Sequence, residues 1–415
     1  MKLDLTDMLY ALSFALDEVE AEILGVETGH GKRVAYLSLL MGKAAGFHKE
    51  ELRDFVGCCI LHDNALTEFV HEELLNIPES KEMCRQLSGV IDMDDMTGNS
   101  RHSVIGEHNI CLIPFHTDVK NIILYHHENA DGTGAMKKTA AETGLKTQIL
   151  HLADMLDMRS NLSTMTEEEF EGLCAWVESQ SGRMFSHDSV KLFQKAISYE
   201  TILHLQSAGV LVCLQEDLPT DELYYSDEEI HRIAGMFAKI VDYKSEFTQM
   251  HSMEVAAKAE QMARYYKFDS EKTIRYFFAG AMHDIGKLVV SNDILEKPGR
   301  LTNGETAVMQ THASATYYIL NQMKNIPDII EWASNHHEKL NGTGYSRGLS
   351  ADDLSFEDRL MACIDIYQAL TEKRPYKDGM SHEQTIAIMQ DMVRKGEIDG
   401  SIVCDIDVVM SGNTT

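Results

Sequence analysis

Proline is scarce in this chain, with 6 in 415 residues, so few segments are forced out of regular structure. The eight cysteines, Cys58, Cys59, Cys84, Cys111, Cys174, Cys213, Cys363 and Cys404, form no CxxC pair, which leaves no spacing for a zinc knuckle. No run of 18 apolar residues occurs, so no segment is expected to span a membrane. The opening MKLDLTDMLYALSF lacks the basic stretch and apolar core of a signal peptide. Free thiols without an export signal point to the cytoplasm. Basic residues are also few, 37 against 66 acidic, for a net charge of −29. Such a surface repels nucleic acid and anionic membranes. It still permits a small anionic substrate at bound divalent ions, which invert the local field.

What is present is helical text. DEEIHRIAGMFAKIVDY, from Asp227, carries apolar residues at helical spacing, and strand-like alternation is rare. The expectation is an all-α fold. A chain of this length is expected to form two or three domains.

The chain also repeats itself. GHGKRVAYL around His30 and MHSMEVAAK around His251 lie 221 residues apart (251 − 30). ILHDNAL at His62 and AMHDIGKL at His283 keep that offset (283 − 62). RHSVIGEHN at His102 and THASATYYI at His312 are 210 apart, as are HHENADGTGA from His126 and HHEKLNGTGY from His336. Asp154 and Asp365 are 211 apart. Five landmarks in one order indicate an internal duplication. The change of offset places about eleven extra residues within roughly Glu72–Arg101, read as an insertion loop. Pro219 and a Ser226–Glu229 capping pattern mark the seam, giving domains at 1–222 and 223–415.

Each half therefore offers one set of residues: His30, His62, Asp63, His102, His126, His127 and Asp154 in the first, and His251, His283, Asp284, His312, His336, His337 and Asp365 in the second. Imidazole and carboxylate suit divalent metals such as Fe, Mn, Co or Zn. Seven ligands exceed one tetrahedral site and suit two metals sharing a carboxylate. Two such metals, about 3.5–4 Å apart, can share a hydroxide and clamp the attacking and leaving oxygens of a phosphate ester.

HDIGKL, LEKPGRLTNGE, HHEKLNGTGYSRGL and CIDIYQALTEKRPY together resemble the HD-GYP family of metal-dependent phosphodiesterases, a branch of the HD phosphohydrolases. The resemblance is close over about residues 230–400 and more distant over about 20–205. It implies two tandem all-helical HD-domain bundles and hydrolysis of a cyclic dinucleotide, cyclic di-GMP first. It implies two divalent ions per site, iron or manganese before zinc, cobalt, nickel or magnesium. His251, His283, Asp284 and Asp365 would hold one ion, and Asp284, His312, His336 and His337 the other, with Asp284 bridging. Some members place a Glu four residues before the first histidine; Phe247 stands there, with Glu246 one step away, which favours two metals over three.

Lys287, three residues after Asp284, would grip the scissile phosphate, making Asp284 and Lys287 the catalytic pair. Gly344, Tyr345, Arg347 and Arg374 are candidate substrate contacts, as is Lys297. Gly342 and Gly344 could take positive φ and aim N–H groups at a ligand. The family's Gly-Tyr-Pro reads Gly344-Tyr345-Ser346.

The first half departs from this pattern. Ala65 and Leu66 replace the Gly and Lys of HDIGK, GTGAM replaces GTGY, and nothing like TEKRPY follows Asp154. It is read as a metal-binding domain with weak or altered activity. Two alternatives for the whole chain are a di-iron HD-domain oxygenase of a small substrate and a nucleotide-binding signalling module without turnover.

Overall fold

The computed structural model describes residues 1–24, 27–69, 101–218, 223–244, 250–297, 299–373 and 379–411. The fold is all-α apart from one antiparallel pair, β1 (Lys2–Leu3) and β2 (Leu223–Tyr224). Two compact units divide the chain: Asp4–Glu222, and Leu223–Thr415 together with Met1–Leu3. The division falls between Glu222 and Leu223, and the first three residues pair with the second unit. Their register, Lys2 with Tyr224 and Leu3 with Leu223, is extended by a hydrogen bond from Tyr225 N to Met1 O at 2.9 Å. The expected insertion in Glu72–Arg101 falls, but for Arg101, outside the described residues, as do Phe247, Glu246 and Arg374.

The first unit is built from α1 (Leu5–Leu24), α2 (His30–Ala45), α3 (Lys49–Ile60), α4 (Arg101–Ile110), α5 (Leu145–Arg159), α6 (Glu167–Ser179), α7 (His187–Ala196), α8 (Tyr199–Ala208) and α9 (Val210–Asp217). The α2 helix packs against α1, α3, α5, α7 and α9. It can do so because it is buried along nearly its whole length, from His30 through Gly42 with few breaks. The central place of α2 matters because its first residue, His30, belongs to the repeated set.

The second unit has α10 (Asp227–Asp242), α11 (His251–Tyr265), α12 (Ser270–Met282), a 3-10 turn at Ile285–Val289, α13 (Asn303–Leu320), α14 (Pro327–Ser334), α15 (Phe356–Thr371), α16 (His382–Arg394) and α17 (Gly400–Met410). Here α12 is the central element, packed against α10, α11 and α14. The run Tyr276 to Met282 is wholly buried, and His283 and Asp284 follow directly at its end. Ser226 caps α10: its side chain accepts from Glu229 N, and Glu229 returns the bond to Ser226 N at 2.8 Å. The capping pattern in the sequence is thus a formed capping box.

The turn after α12 lies hard against α13. Gly286 N donates to Thr316 Oγ1 at 3.1 Å, and Thr316 Oγ1 donates to His283 O at 2.9 Å. A Cβ on Gly286 would stand 2.0 Å from the carbonyl oxygen of His312. The glycine of HDIGK is therefore a close-approach residue that lets two histidine-bearing elements meet.

Two substitutions calibrate these claims by urea unfolding followed by circular dichroism. Ser226→Ala, which removes one exposed cap, is expected to cost about 1 kcal/mol. Gly286→Ala, which pushes backbone against backbone, is expected to cost about 2–3 kcal/mol. Equal losses would contradict the packing described for Gly286.

Candidate metal centres

In the second unit the seven repeated residues converge. His251 is the first residue of α11, His283 and Asp284 close α12, His312 lies on α13, His336 and His337 follow α14, and Asp365 lies on α15. The two oxygens of Asp284 face different imidazole sets. Oδ2 lies 3.2 Å from His283 Nε2 and 3.7 Å from His251 Nε2. Oδ1 lies 3.6 Å from His312 Nε2 and 3.8 Å from His336 Nε2. Asp365 Oδ1 stands 3.2 Å from His251 Nε2 and 3.7 Å from His283 Nε2. Potential ligand atoms of His312, His336 and His337 also lie within 4.8 Å of one another.

Local backbone geometry aims these rings. His283 Nδ1 bonds Gly280 O at 2.7 Å, His312 Nδ1 bonds Met309 O at 2.6 Å, and His336 Nδ1 bonds Ala333 O at 2.6 Å. A carbonyl can only accept, so each Nδ1 carries the hydrogen and each Nε2 presents a lone pair inward. The Nε2 atoms of all three, and Asp284 Oδ1, are buried without a hydrogen-bond partner. Leaving four polar atoms unpaired around one point would cost several kcal/mol. Divalent cations would satisfy them, and the nitrogen–oxygen donor set suits a transition metal. The side chains present fit a divalent metal centre.

The first unit repeats the arrangement. Asp63 Oδ2 faces His62 Nε2 at 3.5 Å, while Oδ1 faces His126 Nε2 at 3.8 Å and His102 Nε2 at 3.9 Å. Asp154 Oδ1 lies 3.3 Å from His30 Nε2 and 3.8 Å from His62 Nε2, and Oδ2 lies 3.8 Å from His127 Nδ1. His62 and His126 again give Nδ1 to the carbonyl three residues earlier, Cys59 O at 2.9 Å and Ile123 O at 2.6 Å. Here too His30 Nε2, His62 Nε2, His126 Nε2 and Asp63 Oδ1 are buried and unpaired.

Charge follows the same division in both units. Burial pushes the His251 imidazole down, but Asp365 and Glu372 outweigh it and raise the ring to about 10. His62 is raised to about 9 against the same penalty by Asp63 and Asp154. The paired histidines go the other way: burial, then neighbouring imidazoles, lowers His126 to about 3, and burial leads in lowering His337 to about 4. Asp284 is held well below the carboxylate range despite burial, by His283 and Lys287. In each site the carboxylates thus favour a proton on the histidine beside them, one that a metal ion would displace, while burial keeps the paired histidines neutral.

The expected partners of these sets differ in where they go. Lys287, on the 3-10 turn, places Nζ on Asp284 Oδ2. The Tyr345 ring leans on His337, with centroids 4.7 Å apart, and is 6.2 Å from His312. The Arg347 guanidinium is engaged by Glu331 and Asn335 and sits 5.2 Å over the Tyr317 ring. Lys297 is taken up by both carboxylate oxygens of Glu305 at 2.6 Å. Gly344 does not adopt positive φ; Gly342 does, at 73°. Gly344 is required because a Cβ there would lie 2.5 Å from Glu338 Cα.

That contact explains the repeated HHE and GTG phrases. The Glu338 carboxylate accepts from Arg347 N at 2.7 Å, Gly348 N at 3.2 Å and Leu349 N at 2.9 Å. Glu128 does the same for Met136 N at 2.7 Å and Lys138 N at 2.6 Å. The third letter of each phrase folds the following loop back over the histidine pair. Sequence reading missed this role, although the offset of 210 between Glu128 and Glu338 was visible.

Two further carboxylates were missed. Glu20 Oε2 accepts from Gly31 N at 3.2 Å, and Asp242 accepts from Ser252 N at 3.2 Å, each just after the first histidine of its set. Burial raises both to about 7. Their offset of 222 is one step from the 221 of the neighbouring landmarks, and the change from Glu to Asp hid it.

In the first unit the positions of the cation and the ring hold other side chains. Leu66, buried, stands where Lys287 does, and Ala135 stands where Tyr345 does. In exchange it buries a further imidazole, His151, where the second unit has Ala362.

Comparison with known proteins agrees with this doubled architecture. HD-domain family models match residues 28–159 and 235–402. The 3'3'-cGAMP-specific phosphodiesterase 1 of Vibrio cholerae is 29% identical over 410 residues, covering 96% of this chain and 90% of that protein. A cyclic di-GMP phosphodiesterase of Pseudomonas aeruginosa is 34% identical over 145 residues, 35% of each chain. The crystal structure of a cyclic GMP-AMP specific phosphodiesterase of V. cholerae, V-cGAP3, superposes with a TM-score of 0.65 over 99% of this chain and 98% of that one, at 23% identity, and so shares the fold. The chain belongs to the HD-domain family and carries two such domains in tandem.

Proposed function

We propose that this protein is a metal-dependent phosphodiesterase of cyclic dinucleotides and that turnover occurs in the second domain. The observation that carries this reading is the Asp284 carboxylate, split between two inward-facing imidazole sets with Lys287 on its flank. Divalent ions held by His251, His283, Asp284, His312, His336, His337 and Asp365 would supply an acidified water and neutralise charge on the phosphate.

The rest falls to the chain's own groups. Lys287 lies half-buried against Asp284, which raises it despite the desolvation penalty, so it stays an ammonium. It is the cation best placed to hold a non-bridging phosphate oxygen. Tyr345 is held on His337 with its hydroxyl protonated, since burial pushes its ionisation above the ordinary range. Its face is the platform offered to a base or ribose. The first domain keeps the metal ligands but replaces both groups with Leu66 and Ala135, which supports a metal-holding, non-hydrolytic role there.

For substrate, the relative aligned over nearly the whole chain acts on 3'3'-cGAMP, whereas the cyclic di-GMP enzyme aligns over about a third of it. We therefore place 3'3'-cGAMP ahead of cyclic di-GMP, the substrate expected from sequence. Among the described residues no helix is long and apolar enough to cross a membrane.

Metal analysis combined with turnover of both nucleotides tests the assignment. His283→Ala with Asp284→Ala is expected to abolish hydrolysis and remove metal. His62→Ala with Asp63→Ala is expected to remove the other metal and leave hydrolysis in place. Loss of activity only in the second variant would move catalysis to the first domain.

Lys287→Ala separates phosphate binding from metal binding. It is expected to lower kcat about 100-fold with metal content unchanged. Retention of kcat would remove Lys287 from the reacting group.

A further inference from the structure

Of the histidines in each cluster, the first is held differently from those whose Nδ1 bonds the backbone. His30 and His251 each open a helix. As first residues they have no preceding helical turn whose carbonyl could take Nδ1–H. Something else must hold that nitrogen if Nε2 is to stay aimed at the site.

In the first domain that partner is Asp157, whose Oδ2 lies 2.8 Å from His30 Nδ1. Asp157 is three residues after Asp154 on α5, and Asp154 faces the other nitrogen of the same ring. One helix thus presents a carboxylate to each side of one imidazole. Arg33 steadies Asp157 through Nε at 2.6 Å and a second nitrogen at 2.9 Å.

The second domain does not have this aspartate. With the offset of 211 that relates Asp154 to Asp365, the position of Asp157 is Gln368. Its amide is turned to Glu254 and Lys258. The ring nitrogen instead faces Glu372, whose Oε2 lies 3.4 Å from His251 Nδ1 as an ion pair, while Nδ1 makes no hydrogen bond. Glu372 caps the C-terminus of α15, four residues after Gln368 and seven after Asp365. Seven residues are about two helical turns, so Asp365 and Glu372 share a face of α15.

We propose that Glu372 is the positioning residue of the second metal centre: it holds the His251 ring with Nε2 toward the metal, as Asp157 does for His30, from one helical turn further along the equivalent helix. A carboxylate behind a ligating imidazole fixes the tautomer and raises the ligand's basicity. In the first domain Arg33 shares the carboxylate of Asp157.

This inference rests on the metal reading above, and the test separates the two. The full chain is stripped with chelator and titrated with Mn(II) against a chromogenic chelator. Turnover is followed over the same Mn(II) range. Glu372→Ala is expected to weaken Mn(II) binding in the second domain about 10–100-fold, with kcat recovered at saturating Mn(II) and KM for the nucleotide unchanged. Adding Gln368→Asp to Glu372→Ala, which restores a carboxylate at the position the first domain uses, is expected to bring the affinity back toward wild type.

Wild-type affinity in Glu372→Ala would overturn the proposal, as would a loss of kcat that saturating Mn(II) does not recover. If Glu372→Ala does not fold, Glu372→Gln is read instead, and the same criteria apply to it. A wild-type chain that binds no Mn(II) would defeat the metal reading itself, a result distinct from either outcome for Glu372.

Discussion

The centre of each domain depends on a short local bond: the Nδ1–H of a histidine donated to the carbonyl three residues before it. His62, His126, His283, His312 and His336 all make it. The bond needs only helical or turn backbone, so it asks nothing of the tertiary packing around it. It fixes the tautomer and leaves a lone pair on Nε2, pointing away from the chain that carries it. Once several such rings are brought to one point, their unpaired nitrogens cannot be satisfied by one another. Aspartates between them, with a cation at the centre, are the arrangement that relieves the cost.

The rest of the fold serves that convergence. Glycines sit where two ligand-bearing segments must touch: Gly286 under the His312 carbonyl, and Gly344 against the backbone of Glu338. Glutamates Glu128 and Glu338 gather loop N–H groups so that the segment after each histidine pair folds back over it. A carboxylate that gathers two or three N–H groups is a stable anchor even when buried, because each bond is charge-assisted. The GTG turn is therefore scaffold, and what it delivers is the residue that follows it: Tyr345 in one domain, Ala135 in the other.

The sequence made the all-helical class, the doubling and the convergent histidines and aspartates legible, because seven histidine and aspartate positions recurred in order. Its limits were of two kinds. Long cationic side chains were read by their chemistry, but Arg347 and Lys297 had carboxylates nearby in space that spacing along the chain could not reveal. Supporting carboxylates were hidden for the opposite reason. Asp157 and Glu372 do one job from different turns of equivalent helices, and Glu20 and Asp242 do another with side chains of different length. Register comparison finds residues that cannot move; it passes over those whose role can be met from a neighbouring turn.

The same distinction accounts for what the first domain kept and what it lost. Removing one ligand from a buried cluster strands the others, so each histidine or aspartate is held in place by the remaining six. Lys287 is different. It touches the cluster from one side, through Asp284, and replacing it with an apolar residue leaves no imidazole unpaired that was paired before. Leu66 fills that place and is fully buried, so the exchange even adds apolar packing. Tyr345 leans on His337 without bonding it, and its replacement by Ala135 is equally cheap. A duplicated site can therefore shed the groups that face substrate long before it can shed those that face metal. The first domain meanwhile buries the imidazole of His151 where the second has Ala362.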